Sequence, residues 1–289
     1  MHLVRYDSGN GPRVGVRRDD SITPLSDAGS MADLLAMPYD ELRATVESAS
    51  AGLVPVESAR LLAPLDGRAE LWCAGVTYAR SRSARMEESA ERSVYDKVYS
   101  AQRPELFLKA PAWRLVTDGE PVGIRADSGH DVPEPELAVV ANAHGEVVGY
   151  SVCNDMSSRS IEGENPLYLS QAKVYAGAAA LAAGIKPAWE VADATDLAIT
   201  LVIRRGEHEV VAAETNSGQL VRPIPELVDY LFAGNDFPDG AALATGTGIV
   251  PDLDFSLRPG DVVEIEVAEV GRLVNRVEAG KEPFRWLSR

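Results

Sequence analysis

The stretch from Val132 to Arg159, VPEPELAVVANAHGEVVGYSVCNDMSSR, places the strongest constraint on what this chain can fold into. Two apolar runs, LAVVA and VVGYSV, flank His144-Gly145, and that arrangement predicts a β-hairpin. Glu134 and Glu136 are two residues apart, so on a strand they share one face. A two-residue loop at His144-Gly145 sets Glu134 opposite Asp155 and Glu136 one step further in on the same face.

Three carboxylates gathered in this way repel one another and raise each other's pKa values unless a positive charge lies between them. A hard divalent cation meets that need. Mg²⁺ favours carboxylate oxygens and keeps water positions open for a substrate. The alternative is an edge hairpin with a solvated acidic end, and an ExE pattern alone would favour it. The register, with Asp155 opposite Glu134, turns the reading toward a metal.

Composition narrows the partners. The formal net charge of −16 over 289 residues argues against nucleic acid and anionic membrane, which need basic patches. An anionic substrate would need a local cation to receive it, and a bound metal supplies one. Cys73 and Cys153 have no CxxC spacing and read as reduced, buried thiols, which fits a cytoplasmic protein. The N-terminus lacks the pattern of a secretory signal, and no apolar run approaches the ~20 residues of a membrane span.

Residues 1–65 read as a small N-terminal α+β domain, with short strands HLVRY and PRVGVRR and a helical stretch interrupted at Pro38. LLAPLDGR, Leu61 to Arg68, has the composition of a boundary loop. Residues 66–289 then form the larger domain. It begins with a buried strand, Leu71 to Val76, followed by a charged helix-favouring segment over 84–102 and the PELFLKAP strand. The stretch after Arg159 reads as loop. A second hairpin is predicted with Gly206 and His208 in its turn, and a short helix in PIPELVDYLFAG. LRPGDVVEIEVAEVGRLVNRV closes the chain as a strand pair, alternating at Val263, Ile265 and Val267. Many strands and few helices predict a mainly β, α+β fold with a closed or rolled sheet.

Several chemistries lack their motifs. His2, His130, His144 and His208 show no zinc-site spacing, and no GxSxG elbow is present. TGTGIVP lacks the ending of a phosphate loop. It reads as a tight turn, or as a cradle for a small carboxylate with Thr247 as a donor.

Taken in order, GVTY, ELFLK, the ExE of PEPEL, VVGYSVCNDMSSR, QAK, TGT and the closing LRPGDVVEIEVAEVGRLVNRV resemble the landmarks of the fumarylacetoacetate hydrolase family over roughly residues 70 to 280. The resemblance implies a rolled mixed β-sheet core, a smaller N-terminal domain and a homodimer or larger assembly such as a homotetramer. It also implies Mg²⁺, or Mn²⁺ or Ca²⁺, held by Glu134, Glu136 and Asp155. Members that cleave carbon–carbon bonds carry NYxxHxxE after the first strand. This chain has TYARSRSA, with Thr77 for Asn, Ser81 for His and Ala84 for Glu, so it lacks the usual base for water attack. VTYARSRSARMEES, IEGENPLYLSQAKVY and TGTGIVP instead resemble a subgroup that dehydrates 2-keto-3-deoxy sugar acids, such as 2-dehydro-3-deoxy-D-arabinonate to 2,5-dioxopentanoate.

That chemistry assigns roles. A 2-oxo acid chelates Mg²⁺ through its carboxylate and keto oxygens, which acidifies the C3 protons. A base takes one of them, and the C4 hydroxyl leaves as water when an acid protonates it. Lys173, in QAK, matches the family's active-site lysine. It is one of five lysines and lies in a small, apolar stretch, so it is the candidate base, its pKa depressed by the metal. Glu87, Glu88 and Glu105 are candidates for the acid. Tyr78, Ser81, Lys109, Arg159 and Thr247 are candidates for substrate binding, although a structural salt bridge suits Arg159 equally. A hydrolase or decarboxylase acting on an acylpyruvate or oxaloacetate-like acid, and a non-catalytic binding protein, are the alternative readings.

Overall fold

The computed structural model describes residues 1–50, 52–88 and 92–288, with the backbone alone at 88 and 92–95. Its centre is the strand Pro135–Ala141, buried at every position. Leu137, Val139 and Ala141 pack into one apolar cluster with Ile199, Leu201, Ile265 and Leu227. Ala138 and Val140 pack into another with Leu3, Val16, Leu34 and Leu42. A strand covered on both faces has no solvent side to keep polar, which is why its sequence is a continuous apolar run.

A twelve-stranded sheet grows out from this strand. On one side lie Val147–Asp155, Gly184–Pro187 and then the N-terminal strands His2–Asp7, Pro12–Arg18, Ser21–Pro24 and Val54–Pro55. On the other lie Ala241–Ala244, Glu70–Gly75 and Glu105–Pro111. The pairing of Ala241–Ala244 with Glu70–Gly75 is parallel, so the sheet is mixed. A second sheet of five strands carries the hairpin Ala198–Arg205/His208–Asn216 and the pair Val262–Val267/Gly271–Ala279. Val263, Ile265 and Val267 all face the first apolar cluster, as their alternation predicts. The result is the expected rolled, mixed β core with accessory helices.

Helix ends follow local chemistry. Pro38 separates Met31–Leu35 from Tyr39–Glu47, and Pro225 sits in the first turn of Ile224–Phe232. The segment after Arg159 differs from expectation. It forms two short helices, Arg159–Glu164 and Leu169–Lys173. The Ser158 hydroxyl accepts from the Ile161 N–H to start the first of them. His208 also lies outside its predicted turn and pairs with Arg205 on the neighbouring strand.

The central hairpin keeps the predicted register but not the predicted turn. Pro135 pairs with Asn154 and Glu136 with Cys153, and the Asp155 N–H donates to the Glu134 carbonyl at 3.0 Å. The strands stop at Ala141 and Val147, leaving a longer loop. Val140 pairs with Gly149 and Ala141 with Val147, so a bulge at Val148 restores the register. The cause is Asn142. Its Oδ1 accepts from the N–H groups of His144 and Glu146, and its Nδ2 donates to the Met37 carbonyl and to Glu146. Gly145 closes the turn at φ +74°.

Asn142→Ala would remove the side-chain partner of three part-buried backbone groups, at a cost of about 1–3 kcal/mol in all. The expected outcome is a melting temperature lowered by roughly 2–10 °C, measured by circular dichroism. An unchanged melt would show that the amide does not hold the turn.

Candidate active site

Glu134 immediately precedes the central strand, Glu136 lies within it, and Asp155 ends its hairpin partner. Each offers one carboxylate oxygen, and these atoms lie within 4.8 Å of one another. All three residues are buried, at 3%, 1% and 0% exposure. The acidic end of the hairpin is therefore an interior site, and the solvated-edge reading fails.

Buried carboxylates need compensation, and here it comes from elements distant in sequence. Glu134 Oε1 accepts from Arg85 Nη2 at 2.7 Å and from Arg159 Nη1 at 3.0 Å. Its Oε2 accepts from Lys173 Nζ at 2.7 Å. Lys173 Nζ also lies 2.8 Å from Asp155 Oδ2 and 2.5 Å from Ser157 Oγ. Lys109 Nζ lies 2.5 Å from Asp155 Oδ1 and donates to the carbonyls of Met156 and Lys173. The Gly246 N–H donates to Glu136 Oε2 at 2.7 Å. A β-carbon at position 246 would lie 1.9 Å from Thr77 Oγ1, and φ there is +96°, so glycine is required for that approach.

Burial pushes the Glu134 carboxyl up, but Arg85 and Lys173 outweigh it and hold the group at about 2. Glu136 moves the other way, well above the usual carboxylate range, through burial and the charges of Asp155 and Glu134. Mutual repulsion therefore acts on one member, because the other has its own cations. Burial pulls the Lys173 ammonium down, yet Asp155, Glu134 and Glu162 hold it well above the usual lysine value. Without a cation in the centre, the carboxylates' attraction exceeds the desolvation penalty on this lysine.

A cleft leads to this centre, lined among others by Ser81, Arg85, Glu105, Phe107, Glu162 and Thr247. Its open volume is about 10 Å³, room for about one water. Glu105 and Glu162 are both raised, first by burial, and each also by the other carboxylates around the site. Gly75 makes room for the first of them, since a β-carbon there would meet Glu105 Oε2 at 2.2 Å.

The predicted residues divide among three positions. Glu134, Glu136, Asp155 and Lys173 meet at the centre, and Ser81, Glu105 and Thr247 line the cleft. The Thr247 hydroxyl donates to the Ile249 carbonyl within its own turn, so its proton is already used. Lys109 and Arg159 bind carboxylate oxygens of the centre itself, so the salt-bridge reading of Arg159 holds. Tyr78 is buried beside the TGTG turn, where a β-carbon at Gly248 would lie 2.8 Å from its ring, and it is not among the cleft's lining residues. Glu87 is exposed and does not line the cleft, because it falls on the outward face of its helix. The side chain of Glu88 lies outside the described residues. Sequence reasoning missed Arg85 and Glu162, which pair at 3.1 Å. Helical spacing offered a signal for Arg85, which is four residues from Ser81 on the same face of Ala79–Glu88.

The donor set fits a divalent metal. Three converging buried carboxylates form a hard oxygen site, and a cation among them would relieve the repulsion that helps to raise the Glu136 carboxyl. Among the described residues no helix is long and apolar enough to cross a membrane.

Comparison with known proteins places these observations. The family model for the fumarylacetoacetate (FAA) hydrolase C-terminal domain matches residues 70–278, and the Rv2993c-like N-terminal model matches residues 1–64. A probable 2-keto-3-deoxyxylonate dehydratase of Haloferax volcanii is 45% identical over 214 residues, 74% of this chain and 73% of that protein. The 2-dehydro-3-deoxy-D-arabinonate dehydratase of Saccharolobus solfataricus is 39% identical over 227 residues, 77% and 76% of the two chains. A solved 2-keto-3-deoxy-D-arabinonate dehydratase complexed with magnesium and 2,5-dioxopentanoate superposes with a TM-score of 0.84 at 33% identity, covering 96% of this chain and 99% of that one.

Metal binding to the folded state alone should stabilise it, by about 2.7 kcal/mol at a hundredfold excess over Kd. A thermal melt in millimolar Mg²⁺ or Mn²⁺ should shift upward relative to chelator-treated protein, and Glu136→Ala should abolish the shift. Equal melts for the wild type with and without metal would remove the metal assignment.

Proposed function

The chain belongs to the fumarylacetoacetate hydrolase family, and on that premise we propose that it is a divalent-metal-dependent hydro-lyase. It removes water from a 2-keto-3-deoxy sugar acid, giving 2,5-dioxopentanoate when the substrate is a pentonate. The observation that carries this reading is the buried carboxylate triad with Lys173 hydrogen-bonded to two of its members. The cleft beside it presents Ser81 where the His of a water-activating His–Glu pair would stand in a carbon–carbon hydrolase, and Ala84 holds the Glu position in sequence. The dehydratase relatives and the magnesium complex support the substrate class.

A divalent cation on Glu134, Glu136 and Asp155 would supply the charge that receives a 2-oxo acid's carboxylate and keto oxygens, acidifies its C3 protons and weakens Lys173's hold on its own proton. The remaining steps belong to the chain. Lys173, fixed by Ser157 and by its own carbonyl's bond to Lys109, takes the C3 proton. Glu105 or Glu162, each shifted toward its protonated form, gives a proton to the C4 hydroxyl, which departs as water. Elimination leaves a 3,4-alkene; transfer of a C5 proton to C3 turns it into a 4,5-enol, which tautomerises to the C5 aldehyde. Ser81 offers a hydroxyl to a substrate oxygen, and the near-filled cleft excludes bulk water from the carbanion-like stage.

In the same reading, residues 66–289 are the catalytic domain. Residues 1–65 buttress its sheet, and among the described residues none of them lines the cleft. The protein works in the cytoplasm as a homodimer or homotetramer and binds neither nucleic acid nor membrane. Mg²⁺ is the resident ion, and Mn²⁺ substitutes for it.

The test follows 2,5-dioxopentanoate formation from 2-keto-3-deoxypentonate through a coupled aldehyde dehydrogenase. Turnover should vanish with chelator and fall roughly 10²–10⁴-fold in Lys173→Ala. Inactivity toward both C4 epimers, together with cleavage of an acylpyruvate, would overturn the dehydratase reading in favour of a hydrolase.

A further inference from the structure

Beside the C-terminal turn Glu282–Ser288, two hollows of about 450 and 600 Å³ share Tyr175, Ala176 and Lys281 and so form one open groove. Ile124, Phe284 and Leu287 give it apolar walls, and its lining includes Trp113, which is 53% exposed. The groove is also cationic, against the −16 net charge of the chain. Arg114, Arg125, Lys281 and Arg285 line it with one acid, Asp127. Arg125 is answered by Asp127 at 2.6 Å and Arg285 by Glu282 at 2.5 Å. Arg114 stacks over the Trp113 ring, 4.6 Å from its centre. Among the described residues, neither Arg114 nor Lys281 makes an ion pair.

The complementary pattern stands in the turn that follows TGTGIVP. Leu253 is 57% exposed there, between the exposed Asp252 and Asp254. Among the described residues neither aspartate makes an ion pair. The base of this turn is tied to the groove's own wall. The Asp131 N–H donates to Ser256 Oγ at 3.0 Å, the Leu257 N–H donates to the Asp131 carbonyl at 2.9 Å, and the Asp131 carboxylate accepts from the Arg125 main chain. Turn and groove therefore lie close enough together for one neighbouring molecule to meet both.

We infer that the groove receives the Asp252–Leu253–Asp254 turn of a second copy of this chain, in a two-fold contact to which each copy gives one turn and one groove. Such a contact requires a surface that is complementary to itself, and here two unanswered cations and an apolar floor meet two unanswered anions and an apolar side chain. Tryptophan and arginine, the residues that flank the groove, are the ones that protein interfaces favour. The contact would join two active sites. Arg125 Nη1 donates to the Gln171 carbonyl at 3.1 Å, in the helix Leu169–Lys173, while the turn follows Gly246, whose N–H holds Glu136. The Glu136 side of one centre is thus linked to the Lys173 side of the other.

The inference rests on the proposed assembly into a homodimer or homotetramer, and the experiment separates the two. Wild-type full chain should sediment as a dimer or tetramer in the analytical ultracentrifuge. Arg114→Glu/Lys281→Glu reverses the groove and Asp252→Lys/Asp254→Lys reverses the turn. Each double variant alone should raise the dissociation constant of this contact at least about tenfold, because like charges then face each other. An equimolar mixture of the two should regain wild-type association, since each reversed surface meets its opposite. Variants as tightly associated as wild type, or a mixture that stays dissociated, overturn this inference alone. A monomeric wild type overturns it together with the proposed assembly. Should a variant not fold, wild type of mixed light and heavy isotope is treated with a carbodiimide, which joins a carboxylate to an amine it touches. Peptides linking Asp252 or Asp254 of one isotope to Lys281 of the other should form, and their absence overturns the inference.

Discussion

The structure depends on the burial of Glu134, Glu136 and Asp155 in one place with their charges answered from outside the hairpin. An uncompensated carboxylate in an interior costs several kcal/mol, and removal of one partner from a buried pair costs ~3–5 kcal/mol. Arg85, Lys109, Arg159 and Lys173 provide that compensation, and each comes from a different element. The helix Ala79–Glu88, the strand Glu105–Pro111 and the two short helices after Asp155 are thus tied to one point. The charge network serves as the register mark that locks them around the central strand.

The same network explains how one fold can host different chemistries. The hairpin and its triad form a buried carboxylate centre that could hold a cation, while the helix after the first core strand helps to line the cleft beside it. In this chain that helix brings Ser81 and Arg85 to the cleft, and Arg85 pairs with Glu134 and Glu162. Ser81 presents a small hydroxyl there. Glu105 and Glu162 also line the cleft, and burial and the carboxylates around them shift both toward their protonated forms.

Local pattern made much of this legible. Alternation and the turn signal set the hairpin's register through Glu136–Cys153, and that register placed Asp155 beside Glu134. The loop was misjudged because Asn142 captures two N–H groups, a side-chain effect that Gly-based turn rules do not weigh. Arg85 and Glu162 were hidden because their partners lie 49 residues along the chain or more in one case, and in the other within a stretch that read as loop. Glu87 looked like an acid because of its segment, yet helix phase turned it outward.

The sequence alone determined the fold family, the central hairpin, the carboxylates that meet at its end and the lysine beside them. These rest on short-range periodicity and on an ordered set of motifs, which a linear reading can follow. Only the tertiary structure decided the partners of each group and the oxygen each donor occupies. Lys173 shows the reason. In sequence it is a lysine in a small, apolar stretch, and only the fold sets it 2.7 and 2.8 Å from two carboxylates. Electrostatic balance in a buried site is a sum over distances, and distances between remote residues exist only once the chain has folded.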